Sequence, residues 1–445
     1  MQDKTINKMS NKPKGPILIT AGGTGGHVYP GLAVARALQE QNIPVIWMGT
    51  HKGLEARVIP EAGIDMVYLS VNGLRGKGVT ALLAAPFQLM KALFQSLNIM
   101  LKVKPSAVLG MGGFVAGPGG LVAALLGKPV IIHEQNAIPG LTNKLLSRVS
   151  KKILEGFPGT FAKSNSVGIG NPVRLDIASI AAPSERMGDR WGHINVLIFG
   201  GSLGAQVLNE VVPMALDELP IDKRPVVRHQ AGKNKDQATK SLYEKMGVTA
   251  EVTPFIEDMA EAYEWADLVI CRSGALTVAE LAAAGVASIM VPYLYAVDDH
   301  QTANAKYLSE SGAGILISQN DLTKESLSIL LTELCGDRNK LIEMSIKARK
   351  LAKPEATKGV AAICAEYAGY DFDKSDSNHD DQNEDTKDNR QTIISDKRKH
   401  VEDDGWETFV ETIGPENSIE NGDRTLNETS IKKVKSGKGV NYEAA

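Results

Sequence analysis

Four stretches of this chain have the composition to hold a phosphate at the start of a helix. Gly22-Gly23-Thr24-Gly25-Gly26-His27 follows the apolar run Ile17–Thr20 and opens a helical pattern. Gly110 to Gly120 (GMGGFVAGPGG) and Gly200-Gly201-Ser202-Leu203-Gly204 repeat that placement, and Cys271-Arg272-Ser273-Gly274 does so again. Backbone amides at a helix start attract anions, and glycine lets a phosphate or sugar approach closely. Beyond the fourth stretch, Glu280 is the lone charge on an Ala- and Leu-rich helix. Standing about one turn in, its carboxylate can accept hydrogen bonds from two ribose hydroxyls. Several such loops at one edge suit a site that handles more than one diphosphate.

Other phosphate chemistries fail on spelling. A dinucleotide fingerprint starting at Gly23 needs glycine where Val28 stands, and the next strand ends in WMGT without an acidic residue. No Gly-Lys-Ser/Thr phosphate loop occurs. The Asp371-Phe372-Asp373 pair lies away from any strand end and reads as solvated charge, so no metal site is expected. Cys271, Cys335 and Cys364 lack metal-ligand spacing and read as ordinary thiols of a reducing compartment.

The elements that must position these loops alternate regularly. Ile17–Thr20, Val45–Met48, Met66–Val71, Ala107–Gly110, Val130–His133 and Ile153–Leu154 read as buried strands, with helical patterns such as Val28–Gln41 and Val79–Lys102 between them. The pattern pauses at Asn171–His193 and restarts with Val196–Phe199, Val226–Gln230, Leu268–Cys271, Ser288–Val291 and Gly314–Ile317. Near-continuous apolar strands followed by helices indicate parallel sheets covered on both faces. The expected organisation is an α/β domain over residues 15–170 and a second over 195–340. The last helix, about 355–368, crosses back to the first. Residues 371–445 form a tail too polar to bury a core, which is expected to be disordered.

The formal charge of −3 hides an asymmetry. The tail holds 11 Lys+Arg against 19 Asp+Glu, a net of −8, which leaves 38 against 33 in residues 1–370. A body at +5 is too weakly basic for nucleic acid but suits anionic substrates or an anionic membrane face. Met1–Lys14 has no apolar signal core, and Pro86, Gln88, Lys91, Gln95 and Asn98 interrupt Val79–Val103, the nearest approach to a spanning helix. A cytosolic protein that touches a membrane is expected.

GGTGGH (22–27), GMGGFVAGPGG (110–120), HEQN (133–136), GNPVR (170–174), GGSLGA (200–205), CRSGALTVAE (271–280) and DDHQ (298–301) occur in that order. Together they resemble the bacterial N-acetylglucosaminyltransferases of peptidoglycan synthesis, the MurG type, over about residues 15–368. The resemblance implies a GT-B fold, two Rossmann-like doubly wound parallel-sheet domains facing a cleft. It implies transfer of N-acetylglucosamine from UDP-N-acetylglucosamine to undecaprenyl-diphospho-N-acetylmuramoyl-pentapeptide at the cytoplasmic face of the inner membrane, with no cofactor. Other cell-wall enzymes are the further partners it implies. By the same resemblance Thr24, Gly25 and Gly26 line the donor-sugar side, and Asn136 contacts the sugar. Arg174 and Ser202 bind the diphosphate region, and Ile256 holds the uracil edge through its backbone. Ala275, Leu276, Thr277, Val278, Ala279 and Glu280 cradle phosphate and ribose, and Gln301 reads sugar hydroxyls. The acidic tail has no counterpart in the family pattern.

An α-linked donor giving a β-linked product implies inversion in a single displacement. That needs a base for the acceptor 4-hydroxyl and positive charge for the departing UDP; helix N-termini and Arg174 supply the charge without a metal. His27 is the first choice for the base, with an acid limb expected at pH 6–7. His133 and Glu134 are its rivals, and Glu134 could instead orient His27. Membrane contact is expected over Asn72–Leu101, where Leu74, Leu82, Leu83, Phe87, Leu89, Leu93 and Phe94 interleave with Arg75, Lys77, Lys91 and Lys102. Two other readings compete. A GT-B UDP-N-acetylglucosamine 2-epimerase would need neither a lipid patch nor the loop at 110–120. A non-catalytic sugar-nucleotide-binding scaffold should have lost His27, Glu134 or Glu280.

Overall fold

The computed structural model describes residues 14–70 and 79–373. The tail from residue 374, the Asn72–Lys77 part of the expected membrane contact, and the side chains of Leu82 and Leu83 lie outside the described residues.

The strands form two sheets. The first contains β1 (Ile17–Ala21), β2 (Val45–Thr50), β3 (Asp65–Leu69), β4 (Ala107–Gly112), β5 (Val130–Glu134), β6 (Lys152–Glu155) and β7 (Ser166–Gly168), in the order β3-β2-β1-β4-β5-β6-β7. The second contains β8 (Asn195–Phe199), β9 (Val226–Gln230), β10 (Glu251–Thr253), β11 (Leu268–Cys271), β12 (Ala287–Met290) and β13 (Gly314–Leu316), in the order β10-β9-β8-β11-β12-β13. Neighbouring strands pair in parallel throughout.

The first half carries α1 (Gly25–Glu40), α2 (Glu55–Glu61), α3 (Val79–Val103), α4 (Gly113–Leu125) and α5 (Leu141–Leu146). Two short helices, α6 (Leu175–Ala178) and α7 (Pro183–Gly188), occupy the connection. The second half carries α8 (Gln206–Asp217), α9 (Asp236–Lys245), α10 (Met259–Trp265), α11 (Ala275–Ala284), α12 (His300–Ser309), α13 (Lys324–Gly336) and α14 (Arg338–Lys350). The chain ends in α15 (Ala356–Ala368).

Each central strand is apolar on both faces because each sheet is covered on both. Ile17, Ile19 and Ala21 of β1 enter the core shared with α1, while Leu18 enters the opposite core with residues of α3 and α4. In β8, Val196 and Ile198 face one core, and Leu197 and Phe199 the other. Val360, Ala361, Cys364, Ala365 and Ala368 of α15 bury themselves in the core of the first sheet, although the whole second sheet precedes them in sequence. The Tyr370 hydroxyl donates to the carbonyls of Lys14 and Gly15 (2.9 and 3.0 Å), tying the end of this helix to the start of β1.

The strand order reverses between β1 and β4 in one sheet and between β8 and β11 in the other. Crevices form at such switch points, outside the carboxyl ends of the strands. The four glycine and small-residue turns lie there.

One of these turns is shorter than its composition suggested. Most of the Gly110–Gly120 stretch is α4 itself, and only Gly110 to Gly112 precede the helix. Two of its later glycines serve packing instead: a Cβ at Gly119 would stand 2.3 Å from Met48 Cε, and one at Gly120 2.9 Å from Leu146. The sequence reading also lacks β7 and β10, three-residue edge strands without an apolar run.

Candidate active site

His27 sits in the first turn of α1, just past the glycine turn that ends β1. Its Nδ1 lies 3.3 Å from Thr24 Oγ1. The ring rests on the backbone of the second turn: a Cβ at Gly112 would come within 2.8 Å of His27 Cδ2 and 2.9 Å of Nε2. The turns after β1 and β4 therefore form one pocket for the imidazole. Burial lowers the His27 pKa below 6.5; Glu134 pulls it back up, and His300 of the second half pushes it down again. At neutral pH the ring is neutral and can accept a proton.

Glu55 sets the shape of the first turn. It is buried, and its carboxylate accepts from Gly23 N (3.1 Å), Thr50 N (2.9 Å) and Thr50 Oγ1 (2.7 Å). It stands just beyond WMGT, where the sequence showed no acidic strand end, and it points inward to the loop.

Glu134 ends β5 and is buried. Oε1 accepts from the backbone and side-chain amides of Asn136 (3.1 and 3.2 Å), and Oε2 from Gly140 N (3.0 Å) and Asn143 Nδ2 (2.9 Å). With these four bonds the carboxylate organises the 136–143 loop. His133 has both ring nitrogens engaged. Its Nε2 donates to Gly170 O (2.9 Å) and its Nδ1 accepts from Gln135 Nε2 (3.0 Å), while burial drives its pKa down to about 4. It pins the loop that leads to Arg174.

In the second half, α11 begins at Ala275 behind Gly274, with no side chain capping its free amides. The Ser273 hydroxyl beside them is buried and has no hydrogen-bond partner among the described residues. Free N–H groups, a helix dipole and a hydroxyl together suit a diphosphate. Ala275 and Val278 pack into the core, so they offer a ligand only backbone, whereas Leu276, Thr277, Ala279 and Glu280 are half-buried. Burial raises Glu280 to about 7, against the opposing effects of Arg174 and of the Tyr263 hydroxyl, which donates to Oε2 at 3.1 Å. Arg174 thus lies close to Glu280, at the start of α6.

Gln230 Nε2 donates to both Gly201 O and Pro254 O (3.1 Å each), which holds the turn of exposed Ser202 beside the loop of half-buried Ile256. Gln301 starts α12 and accepts from Tyr293 N at 2.9 Å through Oε1, leaving its amide hydrogens for other partners. The two halves meet at Asn304, a buried residue of α12 that bonds to Asn136, Ala137 and Ser273. Glu55, Gln230, Tyr263 and Asn304 were not among the residues expected from the sequence. Of these only Asn304, a polar residue between Ala303 and Ala305, departs from its local pattern.

A cavity of about 680 Å³ opens beside His27. His27, Glu134, Asn136, Thr142, Asn143 and Asp298 are its polar lining. Leu89, Leu93, Leu121, Leu141, Leu145 and Val149 make an apolar wall contributed by α3, α4, α5 and the residues just after it.

Two Rossmann-like sheets, with an uncapped helix start at Ala275 on one and an imidazole in a cavity on the other, have the architecture of a GT-B glycosyltransferase. The family models agree: residues 17–155 match the glycosyltransferase family 28 N-terminal domain and residues 195–360 its C-terminal domain. The UDP-N-acetylglucosamine–N-acetylmuramyl-(pentapeptide) pyrophosphoryl-undecaprenol N-acetylglucosamine transferase of Methylococcus capsulatus is 53% identical over 355 residues, 79% of this chain and 99% of that protein. Its counterpart in Dechloromonas aromatica is 50% identical over 352 residues, with the same coverage. The crystal structure of Acinetobacter baumannii MurG superposes with a TM-score of 0.70 at 45% identity, covering 79% of this chain and 99% of that one. The chain belongs to this family of N-acetylglucosamine transferases.

Proposed function

We infer that this chain transfers N-acetylglucosamine from UDP-N-acetylglucosamine to the 4-hydroxyl of undecaprenyl-diphospho-N-acetylmuramoyl-pentapeptide, with inversion. The observation that carries this reading is a single cavity lined both by the His27 imidazole and by a wall of leucines. An acceptor that is a sugar at its reactive end and a polyprenyl chain at the other matches that polarity. Relatives at 50% identity or above bear the name of this activity.

In the donor half, the amides at the start of α11, Ser273 and Arg174 hold the diphosphate and stabilise the charge that grows on departing UDP. Ser202 supports the same region, Glu280 accepts the ribose hydroxyls, and backbone at Ile256 meets the uracil edge. Asn136 and Gln301 bond the sugar, and Thr24, Gly25 and Gly26 close over it. His27 takes the proton from the acceptor hydroxyl as the hydroxyl oxygen attacks the anomeric carbon. Glu134 keeps the loop around that hydroxyl in place.

The protein works as a peripheral membrane enzyme, on the cytoplasmic face where nucleotide-sugars are supplied. Phe87, Leu89, Met90, Phe94 and Leu101 of α3, Leu121 and Leu125 of α4, and Leu141 and Leu145 of α5 are all exposed, and Leu89, Leu121, Leu141 and Leu145 among them line the cavity. Exposed Lys91, Lys102, Lys144 and Arg148 accompany them, a mixture that suits anionic lipid. The patch is wider than the α3 stretch expected from the sequence. No helix among the described residues is long and apolar enough to cross a membrane. Incubation with UDP-N-acetylglucosamine and a lipid-diphospho-muramoyl acceptor tests the reading. UDP should appear only when both are present; release with the donor alone, or interconversion to an epimer, would point to another activity.

A further inference from the structure

Asn304 is fully buried near the start of α12, flanked by Ala303 and Ala305. A carboxamide has two N–H donors and one carbonyl acceptor, and burying it is costly unless they are used. Here all are used, and they are shared between the two halves of the cleft. Nδ2 donates to Asn136 Oδ1 (3.2 Å) and to Ser273 O (3.2 Å), while Oδ1 accepts from Ala137 N (2.8 Å). Asn136 and Ala137 follow β5 in the acceptor half; Ser273 precedes α11 in the donor half.

The consequence for Asn136 is specific. An amide side chain can be flipped, exchanging its oxygen and nitrogen. Glu134 takes a hydrogen from Asn136 Nδ2, and Asn304 gives one to Asn136 Oδ1. Both contacts would become repulsive or empty after a flip, so the pair dictates which end of Asn136 is the donor. Each end keeps one further bonding position, which can face a sugar hydroxyl in the cavity that Asn136 lines.

We propose that Asn304 is a positioning residue that orients the Asn136 carboxamide and couples it to the diphosphate-binding turn at Ser273. Neither aspartate, which lacks donors, nor leucine, which lacks both functions, can make this three-way link. The inference rests on the reading of Asn136 as a sugar ligand.

The test is a double-mutant cycle on the full chain with UDP-N-acetylglucosamine and the lipid-linked acceptor. Asn304→Ala should lower kcat about 10- to 100-fold, the range of a misplaced reacting geometry. Its Kd for UDP alone should rise less than about threefold, because UDP lacks the sugar that Asn136 is read to bind. In an Asn136→Ala background, Asn304→Ala should cost less than about twofold more. Asn304→Ser, whose hydroxyl is too short to span both halves, should behave in the same way and serves if the alanine variant loses stability. A normal kcat in folded Asn304→Ala overturns the proposal. Additive losses, or a UDP affinity that falls as much as kcat, would also overturn it by reducing Asn304 to a structural residue. A normal kcat in Asn136→Ala removes the ligand on which the proposal acts. If the wild-type chain failed to transfer sugar to the lipid acceptor at all, the functional reading itself would fall.

Discussion

Substituting Gly112 by alanine perturbs the proposed base without touching its side-chain chemistry. Gly112 has φ 103° and ψ −172°, a conformation essentially confined to glycine, so alanine costs about 1–3 kcal/mol of stability. Each kcal/mol lowers Tm by about 2–4 °C in a domain of moderate size. The added methyl would stand 2.8 Å from His27 Cδ2 and 2.9 Å from Nε2, where contact between such atoms is comfortable at about 3.5–4.0 Å. The imidazole must therefore retreat by roughly 0.6–1 Å, and a displacement of that size at the reacting geometry costs up to about 10²-fold in rate. UDP release at saturating donor and acceptor should show kcat reduced about 10- to 100-fold in Gly112→Ala, with the donor KM within twofold of wild type. In a His27→Ala background the same substitution should still lower Tm but cost no further activity. An unchanged kcat in the folded single variant, or equal losses in both backgrounds, would refute the placement of His27 as the base.

Because burial holds the His27 pKa below 6.5, the imidazole loses its proton-accepting form only as pH falls through that lowered value. The acid limb of kcat/KM should accordingly lie below pH 6.5, lower than the pH 6–7 expected for an unperturbed ring, and it should vanish in His27→Ala; a limb that persists there assigns it to another group. In its proposed ribose-binding role Glu280, raised to about 7, accepts best as a carboxylate, so the donor KM should climb as pH drops below about 7 and flatten in Glu280→Gln. Its raised pKa also means that its contribution to stability is complete below the ordinary carboxylate range and is lost as pH rises through about 7. The Tm of Glu280→Gln should thus gain on wild type from pH 6 to 8, and a constant difference would contradict the shift. Replacing exposed Phe94 and Leu125 by serine removes about 1.5–3 kcal/mol of insertion each, and co-sedimentation with anionic vesicles should fall by about 10²-fold or more while UDP binding stays unchanged; undiminished sedimentation would place the membrane contact elsewhere.

Much of the architecture was present in the chain as a pattern. Leu268–Cys271 is a strand over the same residues that the apolar run marks, because a parallel strand covered on both faces must be apolar along its length. The glycine turns and the ordered motifs were equally legible, since phosphate approach and family spacing are both local in sequence. What stayed hidden depends on contacts between distant residues. The sequence puts His27 first as the base and leaves His133 and Glu134 as rivals. Only the fold commits Glu134 to four donors, closes both nitrogens of His133 on neighbouring groups, and leaves His27 facing the cavity. GMGGFVAGPGG reads as one long loop, yet Met48 and Leu146 press on Gly119 and Gly120 and require glycine inside a helix. Asn304 lies 168 residues from Asn136, and nothing local marks it as a link between the halves. Local composition determined which segments could bind phosphate and sugar, whereas the role of each polar side chain was decided by partners that only tertiary packing brings within hydrogen-bonding distance.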